Sequence, residues 1–282
     1  GQREQINFFH LLTHQSGLPA VWIPKPGMYI DHLDEIIAAI CQNIRSAEIP
    51  GVKVHYSPLV NHALLGEAVR RCDPKGRSYR QLLQEEVLTP LGMKDTAIGL
   101  RKDLAARHVF PDFRGMPPQE HLGRSNHGPQ GAFKEEHAEM PWVGGISTVP
   151  DLFRLSEMFR RGGELGGKRI LSPAVIDKAT LNWTGDKPNE LYKAVAINHG
   201  WEPYPAYIGL GFCLRGELMC PGLFGTLTSP RTFGNYGSGS TLFWVDPVTD
   251  VSFVYLSSGV MQQAQNIERF QRLSDIVASA AV

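Results

Sequence analysis

The chain lacks net charge, membrane-spanning runs and any basic stripe. Lysines plus arginines number 28 and aspartates plus glutamates number 28, so the formal net charge is +0. No basic stripe is available to bind nucleic acid, and no polybasic or amphipathic segment suggests a membrane surface. No apolar run approaches the roughly 18 residues that a membrane-spanning helix needs. With 42% hydrophobic and 20% charged residues among 282, the composition is that of an ordinary globular protein.

Cysteines are few, and no pattern of metal or phosphate ligands occurs. The four thiols, Cys41, Cys72, Cys213 and Cys220, have neither CxxC nor zinc-type spacing, so free and mostly buried thiols are expected. A disulfide between the last two stays open. The ten histidines raise the alternative of a metal enzyme, but tight ligand pairs such as HExxH are absent, as are phosphate-binding glycine loops. Solvated loop histidines are the favoured interpretation of His121, His127 and His137. We therefore expect neither a metal nor a cofactor.

Hydrophobic periodicity predicts helices first and strands late in the chain. Helices are expected over about residues 6–16, 31–46, 58–71, 77–88, 148–161, 172–180 and 263–281. Two strands, Thr241–Asp246 and Val251–Ser257, are separated by a four-residue turn and form a hairpin. Residues 107–141, rich in proline, glycine and histidine, are interpreted as a long excursion or lid.

The predicted strands lie near the end of the chain and do not alternate with helices as in βαβ units. This pattern favours an α/β (α+β) fold, in which an antiparallel β-sheet is flanked by helices. We expect one domain over 1–282, with a mainly helical subdomain at about 60–160 and the sheet subdomain at 161–282.

The first candidate for chemistry lies at the start of the helix predicted over 58–71. Pro58 suits the first helical position and Ser57 suits the N-cap, so Tyr56 lies just outside the helix N-terminus. The partial positive charge there favours a phenolate and hence proton transfer. In the alternative interpretation, Tyr56 only staples the helix start and Ser57 only caps it. A staple needs an apolar partner at the fourth helical position, and that residue is the polar Asn61.

Six short motifs occur in a fixed order. They are HLLTHQSGLP at 10–19, Tyr56-Ser57, PLGM at 90–93 with Thr96, WVGGIST at 142–148 with Asp151-Leu152, KRILSP at 168–173, and FGNYG at 233–237 leading into FWVDP at 243–247. The ordered set resembles the class C β-lactamase-like serine hydrolases, which include class C β-lactamases, DD-peptidases, class VIII esterases and related transacylases. This resemblance implies a β-lactamase/transpeptidase-like fold and an acyl-enzyme mechanism.

The chain departs from the family pattern in three places. The resemblance implies a nucleophile in a Ser-x-x-Lys motif upstream of HLLTH, yet no serine of this chain has a lysine three positions later. We expect that motif in residues before Gly1, which would make the N-terminal part of the fold missing here; a pseudoenzyme is the alternative. In the third motif, Asn235 replaces the family's Lys or His, and Pro58 replaces the Asn of Tyr-Ser-Asn. Both replacements favour an esterase or acyltransferase over a β-lactamase or DD-peptidase.

The resemblance and the local pattern together assign candidate roles. Tyr56 and Asn235 are expected to be catalytic, and the expected substrate-binding residues are Ser57, Trp201, Tyr236, Gly237 and Ser238. The strand expected to begin near Ser238 would supply part of an oxyanion hole. Trp201, Tyr204 and Tyr207 would wall an apolar acyl pocket or serve as ordinary core aromatics. The expected partner is a small-molecule ester or amide substrate and no nucleic acid, with the oligomeric state left open. A catalytically degenerate binding protein on the same fold is the remaining alternative.

Overall fold

The computed structural model describes residues 2–112, 136–237 and 240–281. They form two compact units, of which the first contains 2–112 and 136–148 and the second contains 149–237 and 240–281. Most of the predicted excursion, with His121 and His127, lies outside the described residues, as does Ser238. Within the part of the chain that is described, no helix is long and apolar enough to cross a membrane. The predicted helical and sheet subdomains stay a prediction, since these units are defined by contacts and not by element type.

The first unit is mainly helical. Its helices are α1 (Phe8–Leu12), α2 (Leu33–Asn43), α3 (Pro58–Cys72) and α4 (Tyr79–Leu83), the last continued by a π-helical turn at Gln84–Leu88. Short 3₁₀ helices lie at Gln2–Gln5 and Lys102–Arg107, and strands β1 (Ala97–Ile98) and β2 (Gly145–Ile146) pair antiparallel. The helices predicted over 31–46 and 77–88 are thus found, with shorter bounds.

The core of the first unit lies where α2 meets α3. Ile36 and Ile40 on α2 and Leu59 and Val60 on α3 are each at most 4% exposed and belong to one apolar cluster. Their spacing along each helix puts the apolar side chains on one face, so burying these faces holds the two helices together. This packing fixes the N-terminal end of α3, which is the end that carries Tyr56.

The second unit contains a sheet with helices on both faces. In chain order its elements are α5 (Val149–Arg160), β3 (Glu164–Leu165), β4 (Lys168–Arg169), α6 (Pro173–Ala179), α7 (Glu190–Asn198), β5 (Cys213–Leu214), β6 (Phe233–Gly237), β7 (Thr241–Asp246), β8 (Val251–Tyr255) and α8 (Gln263–Ala280). The strands β3 and β4 pair as a small hairpin, and β5-β6-β7-β8 form a four-stranded antiparallel sheet in that order.

Alternating side chains of the sheet face different helices. Phe233 and Val245 pack with Phe159 of α5 and Ile176 of α6, whereas Leu242 and Trp244 pack with Phe270 of α8. Because successive strand residues point to opposite faces, each face buries its own apolar set. The predicted fold class is therefore confirmed, including the hairpin of β7 and β8.

The strand expected to begin near Ser238 stays a prediction at that residue, which lies outside the described residues. Strand β6 already ends at Gly237, β7 begins at Thr241, and Gly237 and Thr241 are paired across the turn. The Ser240 backbone N–H donates to the Gly237 carbonyl at 3.0 Å, and Ser240 has a φ of 65°. Ser240 is therefore in the left-handed region immediately before β7 begins.

Phe270 offers a test of the second unit's core. Its side chain is fully buried, and its ring centroid lies 6.2 Å from that of Tyr255. Phe270→Ala should reduce the free energy of unfolding by about 3–5 kcal/mol, because a large cavity is left behind. Ile276→Ala, on the same helix and 65% exposed, should change it by less than about 0.5 kcal/mol. Urea-induced unfolding of both variants measures the difference, and equal losses would contradict this placement of α8.

Candidate functional site

Tyr56 lies immediately before α3, as predicted. The helix begins at Pro58 and Ser57 occupies the N-cap position, but the Ser57 hydroxyl does not cap the helix. It donates instead to the carbonyl of Pro19 at 2.8 Å, and Ser57 is fully buried. That hydroxyl would have to leave Pro19 before it could bind a substrate, so the role of Ser57 in substrate binding stays a prediction.

A buried polar network lies beside Tyr56. The Asn61 amide nitrogen donates to the Leu11 carbonyl at 3.3 Å and lies 3.1 Å from His14 Nδ1, while the Asn61 amide oxygen accepts from the Ser16 hydroxyl at 2.9 Å. The His14 and Tyr56 rings are 4.6 Å apart, with their planes tilted by 56°. Asn61 therefore ties the segment after α1 to the first turns of α3, which is why a polar residue stands at the fourth helical position.

The pKa values of two neighbouring histidines, the buried His14 and the partly buried His62, lie below the ordinary value. Burial, and secondarily the neighbouring His62, hold the pKa of His14 well below its ordinary value of 6.5. Burial also lowers the pKa of His62, whose Nδ1 lies 2.7 Å from the Pro58 carbonyl and therefore carries the proton that it donates. The sequence contained His14 within the HLLTHQSGLP motif, but nothing in the spacing assigned it a role.

In the second unit, Asn235 and Tyr236 point to opposite faces of β6. The Asn235 amide nitrogen donates to the Gly211 carbonyl at 2.9 Å. The Tyr236 hydroxyl accepts from Gln263 Nε2 at 3.2 Å, and its ring packs in the cluster around Phe270. Asn235 therefore contacts the loop at Gly211, whereas Tyr236 contacts Gln263 and the cluster around Phe270.

Gly237 has a packing reason of its own. A Cβ placed on it would lie 2.5 Å from Thr241 Oγ1, well inside van der Waals contact. A larger residue here would force the Thr241 side chain to move, so packing alone favours glycine whether or not a substrate binds. The substrate-binding role expected of Gly237 stays a prediction.

Tyr236 also lines a cavity that is partly open to solvent. Tyr204 and Tyr207 line it as well, with Arg215 and the thiols of Cys213 and Cys220. Burial raises the pKa of Tyr204 to about 12 and that of Cys213 to about 12, so this phenol and this thiol stay protonated. The wall formed by these groups is uncharged except for the guanidinium of Arg215.

Trp201 is not among the residues that line this cavity. It follows α7 and packs edge-on against His199, with 4.5 Å between ring centroids. The sequence grouped Trp201 with Tyr204 and Tyr207 by proximity along the chain, and it gave no signal for the cysteines or Arg215. The substrate-binding role of Trp201 stays a prediction.

Among the described residues, one group places metal-ligating atoms near one another. Donor atoms of Asp31, His32 and His137 all lie within 4.8 Å. Both histidines are exposed, and their rings stack at 4.4 Å with 12° between planes, while Asp31 is partly buried. The expectation that the protein needs no metal stays a prediction.

The two neutral histidines make stability depend on pH. Their folded-state pKa values lie below 6.5, so the unfolded chain binds more protons as the pH falls below about 6.5. The free energy of unfolding should decrease between pH 7.5 and 5, by at most about 1.4 kcal/mol per pH unit for each histidine. Urea unfolding at several pH values measures the slope. The double variant His14→Asn/His62→Gln should show a shallower slope, and an unchanged slope would contradict the assignment.

Comparison with known proteins supplies the family. The Beta-lactamase family model matches residues 1–277. An uncharacterized protein of Mycobacterium tuberculosis (strain CDC 1551) is 27% identical over 276 residues, covering 90% of this chain and 62% of its own length. A protein of Escherichia coli O157:H7, provisionally named D-alanyl-D-alanine carboxypeptidase, is 26% identical over 220 residues, covering 74% of this chain and 46% of its own length. The chain thus spans less than two thirds of either relative.

Solved structures agree at the level of the fold. A penicillin-binding protein homolog from Caulobacter crescentus superposes with a TM-score of 0.69 at 23% identity, over 97% of this chain and 71% of that one. A family VIII carboxylesterase superposes with a TM-score of 0.68 at 20% identity, over 97% of this chain and 72% of that one. Because the family model extends over nearly all of the sequence, the chain belongs to the beta-lactamase family, as its ordered motifs indicated.

Proposed function

We propose that the whole protein is a serine hydrolase working through an acyl-enzyme, and that it acts on small esters in preference to β-lactams. The observation that carries the preference is Asn235. Asn235 stands on β6 where the resemblance implies a Lys or His. Its amide nitrogen donates a hydrogen bond to the Gly211 carbonyl. A β-lactam or peptide substrate brings a carboxylate, for which a cation at this position would be the natural partner.

Asn235 weakens the binding of a substrate carboxylate moderately and does not affect the binding of an uncharged ester. A hydrogen bond to a charged group contributes about 1.5–3 kcal/mol, against about 1 kcal/mol for a neutral one. Replacing the cation by Asn235 thus weakens carboxylate recognition on the order of tenfold. A simple ester has no carboxylate and loses nothing. Pro58 acts in the same direction, because it removes the amide of Tyr-Ser-Asn that would contact an amide side chain.

The proposed reaction assigns one chemical step to this chain. In the proposal, a serine encoded before Gly1 attacks the ester carbonyl, its neighbouring lysine accepts the proton, and the alcohol leaves as the acyl-enzyme forms. Tyr56 delivers its proton to the departing alcohol and, as phenolate, takes one from the water that hydrolyses the acyl-enzyme, while the lysine returns its proton to the released serine oxygen. The N-terminus of α3 beside Tyr56 favours the phenolate form that the second transfer needs.

The cavity behind Tyr236 is proposed to hold the acyl group. Its aromatic and aliphatic lining, including Tyr204, Leu223 and Ile267, suits an apolar acyl group. Tyr236 is then the substrate-contacting residue of β6, while Asn235 supports the strand edge through Gly211.

One alternative activity has a specific observation in its favour. The relative from Escherichia coli O157:H7 is named for D-alanyl-D-alanine carboxypeptidase activity and is 26% identical over 220 residues. A peptidase would need to bind the terminal carboxylate of its substrate, and the neutral Asn235 would bind a carboxylate more weakly than a Lys or His. Carboxypeptidase activity is therefore less favoured than ester hydrolysis.

Tyr56 is tested by removing one oxygen atom. In the full-length protein, Tyr56→Phe should lower kcat for a nitrophenyl ester by about 100- to 10,000-fold, the range of general acid–base contributions. Tyr29→Phe is the matched control, since Tyr29 is 68% exposed and should leave kcat unchanged. Circular dichroism verifies that both variants fold. Normal turnover by Tyr56→Phe would return Tyr56 to a packing role at the helix start.

Substrate class is tested by direct comparison. The full-length protein should hydrolyse a short-chain nitrophenyl ester with a higher kcat/KM than a chromogenic cephalosporin. Asn235→Lys should narrow that gap by on the order of tenfold, because it supplies charge for the carboxylate. The 282-residue chain by itself serves as the blank. Faster turnover of the cephalosporin by the unmodified protein would refute the esterase assignment.

A further inference from the structure

We infer that His14 is the positioning residue that holds Tyr56 in its working geometry, acting through the backbone on both sides of Tyr56. The inference rests on the proposed role of Tyr56 and extends it to a residue to which neither the sequence nor the comparisons assign a role. Three contacts of His14 carry the argument.

Two of the contacts fix the backbone that flanks Tyr56. The His14 carbonyl accepts from the backbone N–H of His55 at 2.8 Å, and His14 Nδ1 accepts from the backbone N–H of Ser57 at 3.4 Å. His14 therefore accepts hydrogen bonds from the backbone N–H of the residue before Tyr56 and from that of the residue after it. The third contact is the ring of His14 against the ring of Tyr56, with 4.6 Å between centroids.

The network determines which nitrogen of His14 carries the proton. Asn61 presents its NH₂ group to His14 Nδ1 at 3.1 Å, and the Asn61 orientation is set by the Ser16 hydroxyl and the Leu11 carbonyl. Since both partners of Nδ1 are N–H donors, Nδ1 must be the unprotonated acceptor and the proton must reside on Nε2. Only a neutral imidazole meets this requirement, and burial keeps His14 neutral.

The backbone of His14 explains how one residue reaches both flanks. Its φ of 54° lies in the left-handed region, where the chain turns sharply after α1 ends at Leu12. The Gln15 N–H closes this turn on the His10 carbonyl at 2.8 Å. The turn presents the carbonyl of His14 to His55 and its side chain to Ser57.

The experiment compares two replacements of His14 in the full-length protein. His14→Asn tolerates the left-handed backbone and keeps an acceptor close to the Nδ1 position. His14→Gly also tolerates the backbone but removes both the acceptor and the ring. We expect His14→Gly to lower kcat for a nitrophenyl ester by about 10- to 100-fold with KM little changed, since misplacement of a catalytic group by about 1 Å has that effect. His14→Asn should recover kcat to within about threefold.

A second measurement does not depend on activity. With tyrosine labelled at Cζ by ¹³C, the Tyr56 resonance is identified by its loss in Tyr56→Phe. It should shift or broaden in His14→Gly and remain close to its original position in His14→Asn. The exposed His199→Asn variant, in the second unit, should leave this resonance and kcat unchanged. If the glycine variant does not fold, His14→Gln replaces it, because its amide lies one bond beyond the Nδ1 position.

The outcomes separate the two proposals. An unmoved Tyr56 resonance in a folded His14→Gly or His14→Gln variant would overturn the inference, as would equal loss of kcat in the asparagine and glycine variants. If Tyr56→Phe keeps full activity, the proposed function of Tyr56 fails, whereas the resonance still reports whether His14 positions that ring.

Discussion

The requirement that buried polar groups find partners organises the start of α3. Asn61 is fully buried and bonded on both ends of its amide, and each of its bonds reaches a residue of the segment 11–16. An unpaired amide in that place would cost about 1–3 kcal/mol for each group left unsatisfied. The segment and the helix are therefore folded as one piece, and a polar contact, not an apolar staple, sets where the chain enters the helix.

Short-range patterns made much of the fold predictable. The helix at 31–46, the start of α3 at Pro58 and the hairpin of β7 and β8 depend on periodicity, a proline and a turn, which are all local. Helix α7 was missed because its nine residues carry no clear apolar stripe, and the sequence analysis did not predict strand β6.

The candidate site was predictable only in part. The sequence could single out Tyr56 because a helix N-terminus has a local signature, and Asn235 because an ordered set of motifs surrounds it; their catalytic roles stay predictions. The roles of His14 and Asn61 depend on contacts between residues 47 positions apart, which periodicity does not report. The hydroxyl of Ser57 illustrates the same limit, since a partner 38 positions away, Pro19, competes with the helix cap that its sequence position suggests.

The alternation of β6 has a consequence for how this protein can change over time. Asn235 supports the loop at Gly211, whereas its neighbour Tyr236 projects into the cavity on the opposite face. A substitution at the second position reshapes a binding volume without touching the bond that the first one makes. Two adjacent codons are thus decoupled: one is constrained by the integrity of the strand edge, and the other is free to follow whichever small molecule the surroundings offer.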